Sequence, residues 1–147
     1  MSDPELPFES FSASAEETRL CGRNLASKVK KGELIAFVGD LGAGKTTLIK
    51  GLVSALNGTD EKQVTSPTFT YLNIYPGKIN VYHFDLYRIQ DADHFAGMGF
   101  DEYLHPLDGI TLVEWSEKIT SLLPAGTWMV HLLSLSENNR KIAFLKL

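Results

Sequence analysis

The chain of 147 residues is poor in cysteine and arginine and carries no excess of positive charge. Cys21 is the one cysteine, so an intrachain disulfide is excluded. The formal net charge of −4 gives no broad basic surface, which disfavours nucleic-acid binding by this chain alone unless Lys28, Lys30 and Lys31 form a local patch. We therefore expect any contact with RNA to need a partner.

The sequence also lacks long apolar runs. None approaches the roughly 18 residues that span a bilayer, and the first five residues have neither a basic nor an apolar leader region. These features predict a cytosolic protein. The 44% hydrophobic and 22% charged residues suit one domain over 1–147. Residues 1–13 are polar and contain Pro4 and Pro7, so we expect this segment to be partly irregular.

What the sequence does contain is a phosphate-loop motif at 39–46. These residues read Gly-Asp-Leu-Gly-Ala-Gly-Lys-Thr, fit G-x-x-x-x-G-K-[ST] and follow an apolar run at 34–38. The glycines let backbone N–H groups point at a polyphosphate, with the positive end of a helix behind them. Lys45 would contact the β- and γ-phosphates, and Thr46 would hold Mg²⁺. The nucleotide-binding residues predicted here are Gly42, Ala43, Gly44, Lys45, Thr46 and Thr47.

Helices are predicted from capping residues and helical spacing. One runs over 15–31 and opens with a capping box at 14–17. Another follows the motif over 45–56 and is closed by Asn57-Gly58. Over 91–104 two glycines allow a short or broken helix at best.

Strands are predicted where apolar, β-branched or aromatic residues run between turn signals. Continuous apolar character over 34–38 and 110–114 predicts strands that are covered on both faces. Residues 64–86 predict strand, turn and strand, and 127–135 pairs with 140–147. The predicted fold is an α/β P-loop domain with a mixed sheet: parallel core strands flanked by antiparallel hairpins at 68–87 and 127–147.

Two acids stand where a predicted strand ends. Asp85 follows the run Val81–Phe84, and Glu114 follows Ile110–Val113. An arbitrary acid at a strand end is usually a solvated turn residue, but a P-loop protein needs an acid there for Mg²⁺ and for the attacking group. Glu114 has the cleaner apolar run, so we predict it to be a Mg²⁺ ligand and Asp85 to position water.

Four further residues have alternative interpretations. Thr68, in Ser-Pro-Thr-Phe at 66–69, either senses Mg²⁺ and the γ-phosphate or satisfies an X-Pro turn. Arg88 is either an internal arginine finger or part of a surface ion pair. His83 is either a hydrogen-bonded core histidine, which we predict, or a ligand, and Trp115 is either a core residue or a stacking platform.

Absent motifs favour ATP over GTP. Neither N-K-x-D nor D-x-x-G after a strand occurs, and only four scattered arginines argue weakly against a small-molecule kinase with an arginine-rich lid. A small-molecule kinase and a nucleotide-sensing module that hydrolyses poorly remain as alternatives to an Mg²⁺-dependent ATPase.

In combination, the motifs resemble one family. They are Gly-Asp-Leu-Gly-Ala-Gly-Lys-Thr-Thr at 39–47, Ser-Pro-Thr-Phe at 66–69, His-Phe-Asp-Leu-Tyr-Arg at 83–88 and Glu-Trp at 114–115. The chain is similar, over nearly its whole length, to the bacterial TsaE (YjeE) family. The resemblance implies an ATPase that is needed to make threonylcarbamoyladenosine in tRNA, working with the TsaD and TsaB proteins and downstream of TsaC. It implies that ATP hydrolysis supports turnover of the complex and that tRNA is reached through that complex.

The resemblance also implies roles for individual residues. Lys45 matches the phosphate lysine, Thr46 and Glu114 the Mg²⁺ ligands, and Asp85 the acid needed for hydrolysis. Two more positions, Ala15 and Asn138, would lie beside adenine.

Overall fold

A seven-stranded mixed sheet organises the computed structural model, which describes residues 8–40 and 42–147 and only the backbone at Phe8. The strands lie in the order β1-β7-β6-β2-β5-β4-β3. In the chain they are β1 (Phe8–Ser12), β2 (Leu34–Val38), β3 (Leu72–Tyr75), β4 (Asn80–Asp85), β5 (Gly109–Glu114), β6 (Trp128–Ser134) and β7 (Arg140–Lys146).

The central strands β6, β2, β5 and β4 are parallel, and the outer pairs are antiparallel. This arrangement confirms the predicted α/β fold with a mixed sheet and both predicted hairpins. Two hairpin strands, β4 and β6, also belong to the parallel core. Residues 68–70 form a turn, and not a strand, because the Tyr71 N–H donates to the Pro67 carbonyl at 2.7 Å and closes that turn.

Three helices accompany the sheet in the described part of the chain: α1 (Ala15–Leu25), α2 (Lys45–Asn57) and α3 (Ala92–Gly97). Short 3₁₀ segments follow at Glu61–Gln63, Phe100–Leu104 and Ser116–Leu122. The interrupted helix expected over 91–104 is confirmed as α3 and the second of these segments.

Two predictions near the N-terminus differ from the structure. Helix α1 ends at Leu25 and not at residue 31, because the Ser27 and Lys28 N–H groups bond carbonyls three residues back and the chain then turns toward the sheet. Strand β1 was not predicted, and it forms by pairing with β7. The partly irregular segment was expected over 1–13; β1 replaces it at 8–12, and its residues 1–7, like one loop residue, Leu41, lie outside the described residues.

The core lies on both faces of the central strands. Along β2, Ile35 and Phe37 face the helices α1 and α2, whereas Leu34 and Ala36 face the opposite layer. That alternation explains why residues 34–38 are continuously apolar.

Strand register brings the predicted acids together. Phe37 in β2 pairs with Glu114, and Asp85 pairs with the same Glu114 from the other side. The carboxyl ends of β2, β5 and β4 are therefore neighbours, with the phosphate loop leaving the first of them.

Candidate functional site

A cavity of about 430 Å³ lies at the carboxyl ends of these three strands. It contains most of the predicted site residues, together with Ser66 and Tyr87, which were not predicted. The lining consists of Gly42, Gly44, Lys45, Thr46, Thr47, Ser66, Thr68, Asp85, Tyr87, Glu114 and Trp115.

The glycine-rich part of the phosphate loop ends at Gly44, and α2 begins at the next residue, Lys45. Gly44 has φ 100° and ψ 18°, a left-handed conformation that a side chain would strain. The first bond of the helical pattern joins the Leu48 N–H to the Gly44 carbonyl at 3.0 Å. The N–H groups that precede it, from Lys45 to Thr47, are donors at the positive end of a helix, which suits an anion.

Lys45 is a buried cation in this cavity. Its side chain donates from Nζ to the Gly39 carbonyl at 2.5 Å, and Nζ lies 4.0 Å from the centroid of the Trp115 ring. Lys45 is 5% exposed, and within residues 8–40 and 42–147 it has no carboxylate partner. A buried charge without a counter-ion is costly, and an anion bound in this cavity would offset that cost.

Glu114 is fixed through both of its carboxylate oxygens. Oε1 accepts a hydrogen bond from Thr46 Oγ1 at 3.2 Å, and Oε2 lies 2.7 Å from His83 Nε2. His83 is fully buried, which confirms the predicted hydrogen-bonded core histidine. Its Nδ1 has no partner in the described part of the chain, so we place the imidazole hydrogen on Nε2, where it donates to Glu114.

Asp85 has a different set of partners. Its Oδ2 accepts from the hydroxyl groups of Ser66 and Thr68, the latter at 3.1 Å, and its Oδ1 accepts from the Tyr87 N–H at 3.0 Å. Ser66 Oγ also lies 3.4 Å from Glu114 Oε2. The structure therefore places Thr68 against Asp85, and Ser66 between the two acids.

Trp115 closes one side of the cavity. Its backbone has φ 59° and ψ 41°, an uncommon conformation for a residue with a side chain. This conformation holds the indole over the ammonium of Lys45, and the ring of Tyr87 packs 5.1 Å away. Trp115 is therefore half-buried: it lines the cavity and packs against the edge of the core.

A second cavity of about 170 Å³ adjoins the first at Gly42, Gly44 and Thr47. It is lined by the two residues expected beside adenine, Ala15 and Asn138. The start of α1 and the turn between β6 and β7 thus meet beside the phosphate loop.

Arg88 does not line either of these cavities. It is exposed, and its guanidinium carbon lies 5.3 Å from the centroid of the Phe69 ring. Among the described residues it makes no ion pair.

The oxygen atoms of Thr46 and Glu114, which are hydrogen-bonded to each other, are hard donors of the kind that suits Mg²⁺. Within the described ranges, no three His, Cys, Asp or Glu residues cluster closely enough to hold a metal by themselves. This donor set therefore fits an ion that also takes ligands from nucleotide phosphates and water.

None of the helices in residues 8–40 and 42–147 has the length and apolar character required to cross a lipid bilayer.

The central parallel strands, the loop at 39–46 and the acids at neighbouring strand ends define an α/β protein of the P-loop class. A family model described as Threonylcarbamoyl adenosine biosynthesis protein TsaE matches residues 12–142, and the chain belongs to this family.

Relatives match over most of the chain. The tRNA threonylcarbamoyladenosine biosynthesis protein TsaE of Treponema pallidum is 36% identical over 89% of this chain and 95% of its own length. The protein of the same name from Bacillus subtilis is 38% identical over 88% of this chain and 79% of its own. A crystal structure of Bacillus subtilis YdiB superposes with a TM-score of 0.77 at 31% identity, covering 99% of this chain and 88% of that one.

Proposed function

We propose that this protein is the Mg²⁺-dependent ATPase of the threonylcarbamoyladenosine modification of tRNA. It hydrolyses ATP to ADP and phosphate and acts in the cytoplasm with TsaD and TsaB. The pathway follows from the TsaE family and from the names of the relatives. The observation that carries the chemistry is the buried Lys45 of the phosphate loop, which has no carboxylate partner in the described chain and lines one cavity together with Asp85 and Glu114.

Binding begins with the charges of the nucleotide. Lys45 Nζ leaves the Gly39 carbonyl and donates to the β- and γ-phosphates. The N–H groups at the start of α2 take the remaining phosphate oxygens. Thr46 and Glu114 would hold Mg²⁺, which neutralises charge on the β- and γ-phosphate oxygens when it is bound. His83 keeps the Glu114 carboxylate aimed at Thr46 through its bond to Oε2.

Hydrolysis needs an oriented water. Asp85 accepts a hydrogen bond from that water and takes its proton, while the water oxygen bonds the γ-phosphorus and the bond to the ADP oxygen breaks. The hydroxyls of Ser66 and Thr68 hold Asp85 in place for this step. Ser66 also reaches Glu114, so it sets the spacing between the acid that positions water and the acid that anchors the metal.

The test compares three proteins: the wild type, Lys45→Ala, and the control Lys50→Ala. Lys50 lies on the same helix α2 but does not line the cavity. We would measure ATP binding, phosphate release in the presence of Mg²⁺, and transfer of the γ-phosphoryl group to added small-molecule acceptors. The wild type and Lys50→Ala should bind ATP and release phosphate, whereas Lys45→Ala should lose binding or turnover.

Each other outcome contradicts a part of the proposal. Unchanged turnover in Lys45→Ala would remove the phosphate-loop assignment. Transfer to an acceptor without release to water would indicate a kinase, and tight binding with no turnover, even with TsaD and TsaB present, would indicate a nucleotide sensor.

A further inference from the structure

Arg140 is a charged residue beside the phosphate loop that the mechanism above does not use. It is the first residue of β7 and is half-buried. Its guanidinium makes five hydrogen bonds, all to backbone carbonyls. Nη1 donates to the turn between β6 and β7, at Ser136 (2.8 Å), Glu137 (3.1 Å) and Asn139 (3.1 Å).

The other side of the same guanidinium holds the phosphate loop. Nε donates to the Ala43 carbonyl at 3.1 Å, and Nη2 donates to the Gly42 carbonyl at 3.3 Å. The planar fork of an arginine suits this bridging, because its donors point in fixed directions toward two groups at once.

These bonds fix the orientation of a peptide group in the loop. In a trans peptide the carbonyl and the following N–H point in opposite directions. When Arg140 holds the Ala43 carbonyl, the Gly44 N–H points away from the guanidinium. In the described chain that N–H makes no hydrogen bond, so it is available to a phosphate.

Arg140 also contributes charge. No carboxylate pairs with it within the described ranges, and it borders the cavity that contains Gly42, Gly44 and Thr47. After Lys45 it is a second cation without a carboxylate partner beside the loop.

We propose that Arg140 is a positioning residue for the nucleotide phosphates. It keeps the loop in its phosphate-binding shape and ties it to the turn that carries Asn138. This role rests on the proposed nucleotide binding. It predicts that loss of the guanidinium disturbs both the phosphate loop and the turn.

The test measures the affinity of full-length protein for Mg²⁺-ADP by calorimetry, and for inorganic pyrophosphate as a competitor of ADP. Arg140→Ala should weaken pyrophosphate roughly tenfold or more, because the hydrogen bonds of a charged group to the loop are lost, and should weaken ADP by at least the same factor, because the turn that carries Asn138 is released as well. Arg140→Lys keeps the charge but has one side-chain nitrogen, so its affinity for both ligands should lie between those of the wild type and Arg140→Ala. The control is Lys141→Ala, which removes the neighbouring cation whose partner is Glu9 on the surface, and it should bind like the wild type.

The outcomes separate this role from others. Failure of the wild type to bind ADP would overturn the proposed function, and the role of Arg140 with it. A wild type that binds, with Arg140→Ala within twofold of it, would overturn the role of Arg140 alone. If Arg140→Ala lost affinity for ADP but kept its affinity for pyrophosphate, the substitution would act through the turn and not through the phosphate loop. That result would contradict the proposed positioning of the loop. Should Arg140→Ala not fold, Arg140→Lys decides: wild-type affinity in that variant would contradict the bridge.

Discussion

At the scale of single residues, the two acids of the cavity differ in what holds them. Glu114 is tied to Thr46, the first hydroxyl of α2, and to the buried His83. Asp85 is tied to hydroxyl groups of the 66–68 loop and to a backbone N–H. The first environment suits a metal anchor next to the phosphate loop, and the second leaves Asp85 to act on a water bound in the cavity that both acids line.

Substitution of the two acids should separate binding from turnover. Glu114→Gln should weaken Mg²⁺-dependent ATP binding roughly tenfold or more, because it removes a charged ligand. Asp85→Asn should leave binding nearly unchanged and lower kcat by about 10²–10⁴-fold, the usual contribution of a general base. Titration of ATP with and without Mg²⁺, together with steady-state phosphate release, measures both effects. The exposed Asp93→Asn serves as control, and the reverse pattern in the two acids would mean that their roles are exchanged.

Trp115 should report nucleotide binding through its fluorescence. Lys45 lies on its ring, so movement of the ammonium to the phosphates changes the surroundings of the indole. The emission should change on addition of Mg²⁺-ATP in the wild type and in Trp128→Phe, which removes the other tryptophan from β6. In Lys45→Ala the change should vanish. A response that persists in this variant would show that Trp115 senses something other than the phosphate site.

At the scale of elements, the contact between α1 and α2 depends on a glycine. A Cβ added at Gly51 in α2 would lie 2.0 Å from the backbone oxygen of Arg19 in α1. The two helices therefore approach too closely for any side chain at this position.

Gly51→Ala should consequently destabilise the fold. Forcing the helices apart should lower the free energy of unfolding by about 1–3 kcal/mol, the cost of overpacking a well-packed interior. Urea denaturation measures this change. Gly97→Ala, at the end of α3 with open space around it, is the matched control and should be neutral or stabilising by up to about 1 kcal/mol. Equal stability of both variants would show that the helices can separate freely.

Elements with a strong local pattern were predictable from the sequence. The apolar runs predict both ends of β2 and β5 to within one residue, and the phosphate-loop motif together with the closing glycine predicts α2. β1 was not predictable because its residues, Phe-Glu-Ser-Phe-Ser at 8–12, form neither an apolar run nor a regular polar and apolar alternation, and its pairing with β7 depends on residues more than 120 positions away. The end of α1 was missed because its basic C-terminal pattern persists beyond the point where the chain must turn to the sheet.

The site was predictable to a similar degree. The lysine, the threonine and the strand-end acids follow from one motif and from where apolar runs end. The contacts of Ser66 and Arg140 could not be predicted from the sequence, because each depends on how separate loops meet at the sheet edge. One feature of the sequence does point to Ser66, because it lies in the same Ser-Pro-Thr-Phe motif two residues before Thr68. Arg140 carried none beyond being one of four arginines.

At the scale of the whole molecule, the cavity has an exposed mouth. Tyr87 lines it and is 53% exposed, and the neighbouring loop residue Phe69 is 79% exposed. Phosphoryl transfer to water depends on an enclosed site in which electrostatic interactions are strong. We therefore expect TsaD and TsaB to supply the missing cover.

The net charge of the molecule also favours a role for partners, here in binding tRNA. With a net charge of −4 and a pI near 5.5, the chain has no overall positive charge with which to neutralise a nucleic-acid backbone. tRNA should therefore bind the assembled complex, and the isolated chain should show no tight, salt-sensitive tRNA binding in a filter or anisotropy assay at one stated salt concentration.

The measurement that tests the account most directly is the rate of phosphate release from Mg²⁺-ATP by this chain alone, with TsaD and TsaB, and with both partners plus tRNA, at one salt concentration. Lys45→Ala in the presence of the partners controls for their own hydrolysis. The account predicts slow release by the isolated chain, a faster rate when the partners are added, and loss of that increase in Lys45→Ala. Full-speed release by the isolated chain, or an increase that survives in Lys45→Ala, would contradict it.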